Sequence, residues 1–379
     1  MRIAVVSPSF LPSIGGAEFV AHHLARNWSM NGHEVCVMNA ISDQPPENET
    51  SYNVKRFTIL RGSTRFGYHR FPFSGYATRQ LDRLISDYKP DFISAHFGYP
   101  TGVWLSRISR LPTTLVTCHG RELTKFDWGY RSVHGIDSIL ARALNSLTRS
   151  VAISTHARKL MEELGVVSNK IVDIPNGVEW GKFQEKATFD LRKKLQLPRD
   201  AIVVLTVGRQ HQQKDYETGL RAFAQLAAGT RGVYYVILGR GTACWQRLAE
   251  ELGVSTRVRL CEGLHGIELI GAYQQADVFF SPSIWEMFPL VVIEAMAAGL
   301  PAVVTNISGS QDAVKTNVNG IIVEPRQPGQ MAEALGRLTA DAGVRHQMGQ
   351  ASRELAERYD WRHISRMYID CVKSNAETA

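Results

Sequence analysis

Short apolar runs recur along the chain, and most are followed by a stretch with helical spacing. Ile3–Val6, Glu34–Asn39, Phe92–Ala95, Thr114–Thr117 and Ser150–Ile153 mark the first half. Val203–Val207, Tyr234–Leu238, Val258–Cys261, Val278–Ser281 and Ala302–Thr305 mark the second. A run that is apolar on both faces suits a parallel strand, because helices cover both sides of a parallel sheet. Between the runs, Ala17–Met30, Gly75–Tyr88, Tyr216–Leu226, Cys244–Leu252, Glu268–Ala276, Leu290–Ala298 and Gly329–Leu338 read as helices. The alternation predicts an α/β protein of two Rossmann-like, doubly wound domains facing across a cleft. The polar, charged stretch Pro175–Pro198 separates the two series and is the expected joint. The expected domains are 1–178 and 179–361, with a last helix at about 362–379 packing back on the first.

A chain of 379 residues has room for about two such cores. Hydrophobic residues at 44% and charged residues at 21% exclude disordered, collagenous and coiled-coil classes. The five cysteines are scattered with no Cys-x-x-Cys pair, which argues against a disulfide framework or zinc ribbon. No run reaches the roughly 18 apolar residues that span a bilayer. Residues 1–12 read as a buried first strand, not a signal peptide. A cytoplasmic protein is expected.

The formal net charge of +7 is uneven. Residues 1–178 carry 20 Lys and Arg against 14 Asp and Glu; the remainder carries 23 against 22. Most of the excess lies in 55–89, where Lys55, Arg56, Arg61, Arg65, Arg70, Arg79, Arg83 and Lys89 face only Asp82 and Asp87. Phe57, Phe66, Tyr68, Phe71, Phe73 and Tyr76 are interleaved among them. Such a patch can bind an anionic membrane surface, an anionic acceptor or nucleic acid. A solvated face over core aromatics is the other reading.

Open α/β sheets bind ligands where strands lead into helices. Four such loops carry polar chemistry. Gly15-Gly16 follows the first strand and precedes a long helix, where close backbone approach and the helix N-terminus favour an anion; a purely structural turn is the other reading. Arg209 and Lys214 lie five positions apart past a strand, which suits a diphosphate, or simply the surface. Leu238-Gly-Arg-Gly241 is a tight turn without a nucleoside-triphosphate P-loop ending. The fourth loop, Pro282–Pro301, places Glu286 ahead of a helix starting near Leu290 and Glu294 one turn inside it. The first-turn amides of that helix would face an anion. Glu294 lies between apolar neighbours and needs a partner.

The pattern Pro-Ser…Glu-(seven residues)-Glu-Ala-Met-Ala-x-Gly-x-Pro strongly resembles the retaining glycosyltransferases of family 4, with the two-domain GT-B fold. The likeness covers essentially the whole chain in the family's order. It runs through Gly15-Gly16, His119-Gly120, Pro175–Val178, Gly208-Arg209…Lys214, Gly239–Gly241, the two glutamates and Asn319-Gly320. The resemblance implies that Glu286 holds hydroxyls of a donor sugar and Glu294 grips the nucleotide ribose. Arg209 and Lys214 would neutralise the diphosphate, Gly15 and Gly16 would bring backbone to it, and His119 would stand beside the reacting sugar. A core histidine at a strand end is the alternative for His119. Gly239, Gly263, Leu264, Phe288, Leu290 and Val291 complete the expected nucleotide-binding set.

The sequence has no Asp-x-Asp, the usual metal–diphosphate clamp. Cations and a helix N-terminus are therefore expected to stabilise the leaving group, with no metal and no cofactor beyond a GDP- or UDP-linked sugar. The family usually reads Glu-Gly-Phe-Gly-Leu where this chain has Glu286-Met287-Phe288-Pro289-Leu290, so the donor sugar is not inherited. Asp215, where a glycine commonly follows the lysine, is a smaller departure. The expected activity moves a hexose to a glycan or lipid-linked acceptor, forming an α linkage in bacterial surface polysaccharide synthesis (lipopolysaccharide, O-antigen, capsule or exopolysaccharide). The enzyme would sit on the inner face of the cell membrane through 55–89 and would bind no nucleic acid. Alternatives are a soluble small-molecule acceptor, or a nucleotide-sugar-binding protein or epimerase of the same fold. A dinucleotide dehydrogenase is disfavoured, since no Gly-x-Gly-x-x-Gly follows the first strand.

Overall fold

The computed structural model of the chain describes residues 1–11, 15–40, 51–59, 70, 72–120, 122–124 and 135–377. The chain divides into two compact units, Met1–Asn176 with Trp361–Ala379, and Gly177–Asp360. Each is a parallel sheet covered by helices, so the chain has two Rossmann-like α/β domains.

The first unit contains β1 (Arg2–Ser7), β2 (Glu34–Asn39), β3 (Asn53–Arg56), β4 (Phe92–His96), β5 (Thr113–Cys118), β6 (Arg149–Ala152) and β7 (Ile171–Asp173). Among the described residues they form one sheet in the order β3-β2-β1-β4-β5-β6-β7, with every pair parallel. Its longer helices are α1 (Gly16–Met30), α2 (Phe73–Tyr88), α3 (Ile136–Ser146) and α4 (Thr155–Glu163). In α1, Val20, Ala21, Leu24, Ala25 and Trp28 recur at helical spacing and bury one stripe. α2 buries Ala77, Leu81, Ile85 and Tyr88, and stops where Lys89 turns left-handed (φ 49°) ahead of Pro90.

The second unit contains β8 (Ile202–Val207), β9 (Val233–Leu238), β10 (Val258–Cys261), β11 (Val278–Ser281), β12 (Ala302–Thr305) and β13 (Gly320–Val323). The order is β10-β9-β8-β11-β12-β13, again all parallel. Its longer helices are α5 (Tyr216–Gly229), α6 (Ile267–Gln274), α7 (Leu290–Ala297), α8 (Pro328–Ala340) and α9 (Ala342–Glu357). Phe223 and Leu226 of α5 and Leu335 and Leu338 of α8 share a core with Tyr235 and Phe280. The chain then returns to the first unit as α10 (Trp361–Glu377). There Trp361, Ile364, Tyr368 and Val372 join Val20, Leu24 and Trp28 in one core, and Trp28 Nε1 donates to the Ser365 carbonyl at 3.0 Å.

Strand order reverses between β1 and β4 and between β8 and β11. Within each sheet, such a reversal leaves a crevice at the carboxyl ends of its own strands, the usual ligand position of the fold.

The structure differs from the sequence expectations in three places. β3, β7 and β13 are strands outside the sequence expectations; all are sheet edges of three or four residues, β3 and β7 of mixed composition and β13 a glycine followed by three apolar residues. Cys244–Leu252 is not one helix but a 3₁₀ turn, Thr242–Trp245, leading into a short helix, Gln246–Glu251. Most of Pro175–Pro198 is not a joint. Phe183 and Leu191 are buried in the second unit, and the side chains of Gln274 and Gln275 accept the amides of Ala187 and Leu191 at 3.0 Å.

Within 55–89, Phe57 is a core residue set edge-on to Trp104. Arg79 and Arg83 share the exposed side of α2 with Asp82 and Asp87, beside Tyr76 at 41% exposure. Arg61, Arg65, Phe66, Tyr68 and Phe71 lie outside the described residues. Among the described residues, no helix is long and apolar enough to cross a membrane.

Candidate active site

At the β8/β11 reversal, two loops far apart in sequence meet. Lys214 ends a short 3₁₀ turn after β8, and Glu286 lies in the loop after β11. Lys214 Nζ donates to Glu286 Oε1 at 2.6 Å, with the two side chains only 13% and 10% exposed. Ser283 Oγ donates to the same oxygen at 3.2 Å. Oε2 has only Gln213 Nε2, at 3.5 Å, among the described residues. One carboxylate oxygen is thus committed to the protein, and the other is open to a hydroxyl donor.

Beside this pair, α7 begins without a side-chain cap. Leu290, Val291 and Glu294 form its partly exposed side, while Val292, Ile293 and Ala295–Ala297 are buried. Tyr273 of α6 donates its hydroxyl to Glu294 Oε2 at 2.7 Å. Burial pushes the Glu294 carboxyl above its ordinary range, against the opposing pull of Tyr273 and Lys214. Arg209 is exposed and makes no hydrogen bond or ion pair with a described residue. Gly239 sits at φ 153°, where a Cβ would collide with the Gly208 carbonyl, so the ends of β8 and β9 can approach only with glycine there. Gly263 is exposed and Leu264 half-buried, past β10. Phe288 is turned inward, 5.6 Å from the Tyr359 ring, and Met287 is buried beside it.

In the first unit, the β1/β4 reversal brings together a second group. Gly15 precedes α1 and Gly16 opens it. A Cβ at Gly15 would strike the Glu18 carboxylate, which accepts from Ser9 Oγ at 2.5 Å. The first turn of α1 therefore already holds one acidic group. His119 follows β5 and stacks on His96, the last residue of β4, with ring centroids 5.2 Å apart. His96 Nδ1 and His119 Nε2 are 3.0 Å apart. Burial lowers the His119 pKa to about 3 and that of His96 well below the usual histidine range.

Glu122 fixes the backbone around His119. Its Oε1 accepts the amides of His119 at 2.9 Å and Gly98 at 3.3 Å, and its Oε2 accepts that of Gly120 at 3.0 Å. Burial raises the Glu122 carboxyl and these amides counter the rise. The carboxylate ties the loop after β4 to the loop after β5.

Residues 188–355 match the family described as Glycosyl transferases group 1, and residues 14–180 match Glycosyltransferase Family 4. Both domains belong to the glycosyltransferases. The chain is 28% identical over 397 aligned positions to an uncharacterised glycosyltransferase of Methanocaldococcus jannaschii, covering 98% of each. It is also 28% identical to a D-inositol 3-phosphate glycosyltransferase of Thermobifida fusca, over 95% of this chain and 90% of the relative. Sucrose-phosphate synthase of Thermosynechococcus elongatus superposes with a TM-score of 0.83 at 21% identity, covering 100% of each chain. HepE of Anabaena, solved with UDP-glucose, superposes at 0.79 and 17%, covering 99% of this chain and 100% of that one. At those identities the structures speak for the shared GT-B fold.

Four residues of these glycosyltransferase domains escape sequence reasoning. Glu122 had a weak signal, an acid three positions past a histidine at a strand exit. His96 and Ser94 had another, since they are two apart in an otherwise apolar strand and so share a face. Tyr273 carried none, because only the packing of α6 beside α7 brings it to Glu294.

Proposed function

We propose that the chain transfers a hexose from a nucleoside-diphosphate sugar to an acceptor hydroxyl with retention at the anomeric carbon. The observation that carries this is the Lys214–Glu286 pair at the β8/β11 reversal, next to the uncapped start of α7. A diphosphate would take Lys214 and the exposed Arg209, with the first amides of α7 behind it. Glu286 Oε2 would accept donor-sugar hydroxyls, and Glu294, oriented by Tyr273, the ribose hydroxyls. Main chain near Gly263 and Leu264 would meet the base, and Gly239 would leave room for the phosphates. In the first unit, Gly16 and His119 take the roles that the family resemblance assigns them. The C1–O bond breaks with its electron pair going to the phosphate, the acceptor oxygen bonds C1 on the same face, and the acceptor proton passes to the departing phosphate. Cations and helix amides would do the work of a metal ion, so EDTA should leave turnover intact. The complex of HepE with UDP-glucose supports a nucleotide sugar as donor. A thermal-shift panel of GDP-, UDP- and ADP-sugars, followed by turnover with the best binder, tests the reading. Indifference to all three would sink it, and a β-linked product would refute retention.

For the acceptor, the basic stretch Lys55–Lys89 supports a lipid-linked glycan of the bacterial surface, met on the inner membrane face. The acids among the arginines of α2 and the burial of Phe57 favour a second reading, a soluble acceptor. The D-inositol 3-phosphate glycosyltransferase relative points the same way. Vesicle flotation separates the two: docking that needs anionic lipid and fades with salt supports the first.

A further inference from the structure

Ser94, His96 and His119 form a chain of polar groups through the first unit. Ser94 and His96 are fully buried and lie on one face of β4. Ser94 Oγ is 3.5 Å from His96 Nε2, and His96 Nδ1 is 3.0 Å from His119 Nε2. One proton bridges each gap, and the buried end decides which way each points. Ser94 Oγ has no other hydrogen-bond partner among the described residues, so its proton has one destination, His96 Nε2. If the hydroxyl accepted instead, its proton would be stranded in an apolar interior, a cost that buried hydroxyls avoid. With Nε2 accepting, a neutral His96 carries its only proton on Nδ1 and donates it to His119 Nε2. His119 must then carry its own proton on Nδ1, which has no partner among the described residues.

We infer that Ser94 and His96 are positioning residues that fix His119 as its Nδ1–H tautomer, a neutral donor aimed at a lone-pair oxygen of the ligand. Glu122 complements them by holding the His119 backbone. Burial keeps both rings neutral, so no second proton enters the pair. In this state His119 Nδ1 cannot accept the proton of an acceptor hydroxyl; it can only hydrogen-bond to a sugar or phosphate oxygen. The identity of that oxygen rests on the proposed function, whereas the tautomer is a property of the chain itself.

Nitrogen NMR of the full chain, labelled at histidine and held at neutral pH, reads the tautomer directly. The expected spectrum has His119 protonated at Nδ1 alone, as one species. Protonation at Nε2, or an averaged mixture, would overturn the inference. Ser94→Ala removes the donor at the buried end and should shift His119 to the other tautomer or an average; unchanged signals would count against the assignment. His96→Phe keeps the stacked ring and removes the bond. With the nucleotide sugar chosen by the panel, its kcat should fall roughly tenfold or more at unchanged donor KM. His96→Asn, which offers an amide near the Nδ1 position, should recover part of that loss. Once His119 is alanine, His96→Phe should cost nothing further; a fully additive loss would mark His96 as merely structural. If His119→Ala leaves turnover intact, the function reading falls while the Nδ1–H signal still supports the inference.

Discussion

Lys214 and Glu286 are charged residues held out of water, and such a pair contributes little net folding energy, because desolvation offsets most of the attraction. Losing one partner is different: the other is left charged in a dry place, at about 3–5 kcal/mol. Lys214→Met should therefore destabilise the fold by about 3 kcal/mol. Lys214→Met combined with Glu286→Leu should return to within about 1 kcal/mol of the native chain, or exceed it. Neither variant should turn over a nucleotide sugar. Urea melts and a nucleotide-release assay check this, and a double variant as unstable as the single would mean the pair is there for folding. The neighbouring Asp215 shows the opposite economy. It sits at φ 46° and its side chain does not cap α5. The position requires a left-handed residue, which glycine adopts at no steric cost; aspartate tolerates it better than most. Asp215→Gly should raise stability by up to about 1 kcal/mol, or roughly 2–4 °C in a domain of this size. A lower melting temperature would show that the carboxylate is used.

The ends of β4 and β5 carry two histidines that fold only in their neutral form. The unfolded chain binds protons at both from about pH 6.5 downward, while folded His119 does not until about pH 3. Their contribution is therefore complete above about pH 6.5 and is lost as the pH falls toward 3, at up to about 1.4 kcal/mol per unit for each ring. Glu122 and Glu294, raised by burial, act in the other sense just above the ordinary carboxylate range, where the folded chain keeps protons that the unfolded chain releases. Between pH 6.5 and 5 the histidines should set the slope. Replacing both His96 and His119 with Phe should flatten urea-melt stability across that interval; an undiminished slope would contradict the burial argument. These elements also show what the sequence could tell. The interior strands were legible because a strand covered on both faces must be apolar throughout, whereas the edge strands β3 and β7 mix in polar residues and β13 has only three apolar residues after its glycine. The loops after β8 and β11 drew notice through their charges in apolar surroundings. That Lys214 grips Glu286 across 72 positions was not legible, because it depends on β8 and β11 being neighbours. His96 and Glu122 stayed hidden for the same reason, since each acts only because β4 lies beside β5.

The two units draw unequally on the linear chain. The second is one continuous segment, and its two ends close on each other: the Val178 amide donates to the Tyr359 carbonyl at 2.8 Å, and Val178 bridges Asp360. It has its own sheet and its own core. Residues 177–360 expressed alone should therefore fold cooperatively. If the proposed function is right, they should also bind the nucleotide half of the donor through Arg209, Lys214 and Glu294. A nucleotide at a hundred times its Kd would then stabilise the fragment by about 2.7 kcal/mol. Residues 1–176 should not fold alone, because α10 covers one side of their sheet. Without it, the apolar surface that Trp361, Ile364, Tyr368, Ile369 and Val372 bury goes back to water. At about 1.5–3 kcal/mol per buried side chain, that loss matches the roughly 5–15 kcal/mol on which a whole domain stands. Fusing 361–379 behind residue 176 through a flexible linker should restore a cooperative melt. Circular dichroism and urea titration of the three fragments decide it: a folded 1–176, or an unfolded 177–360, would show that the cores do not divide where the contacts do.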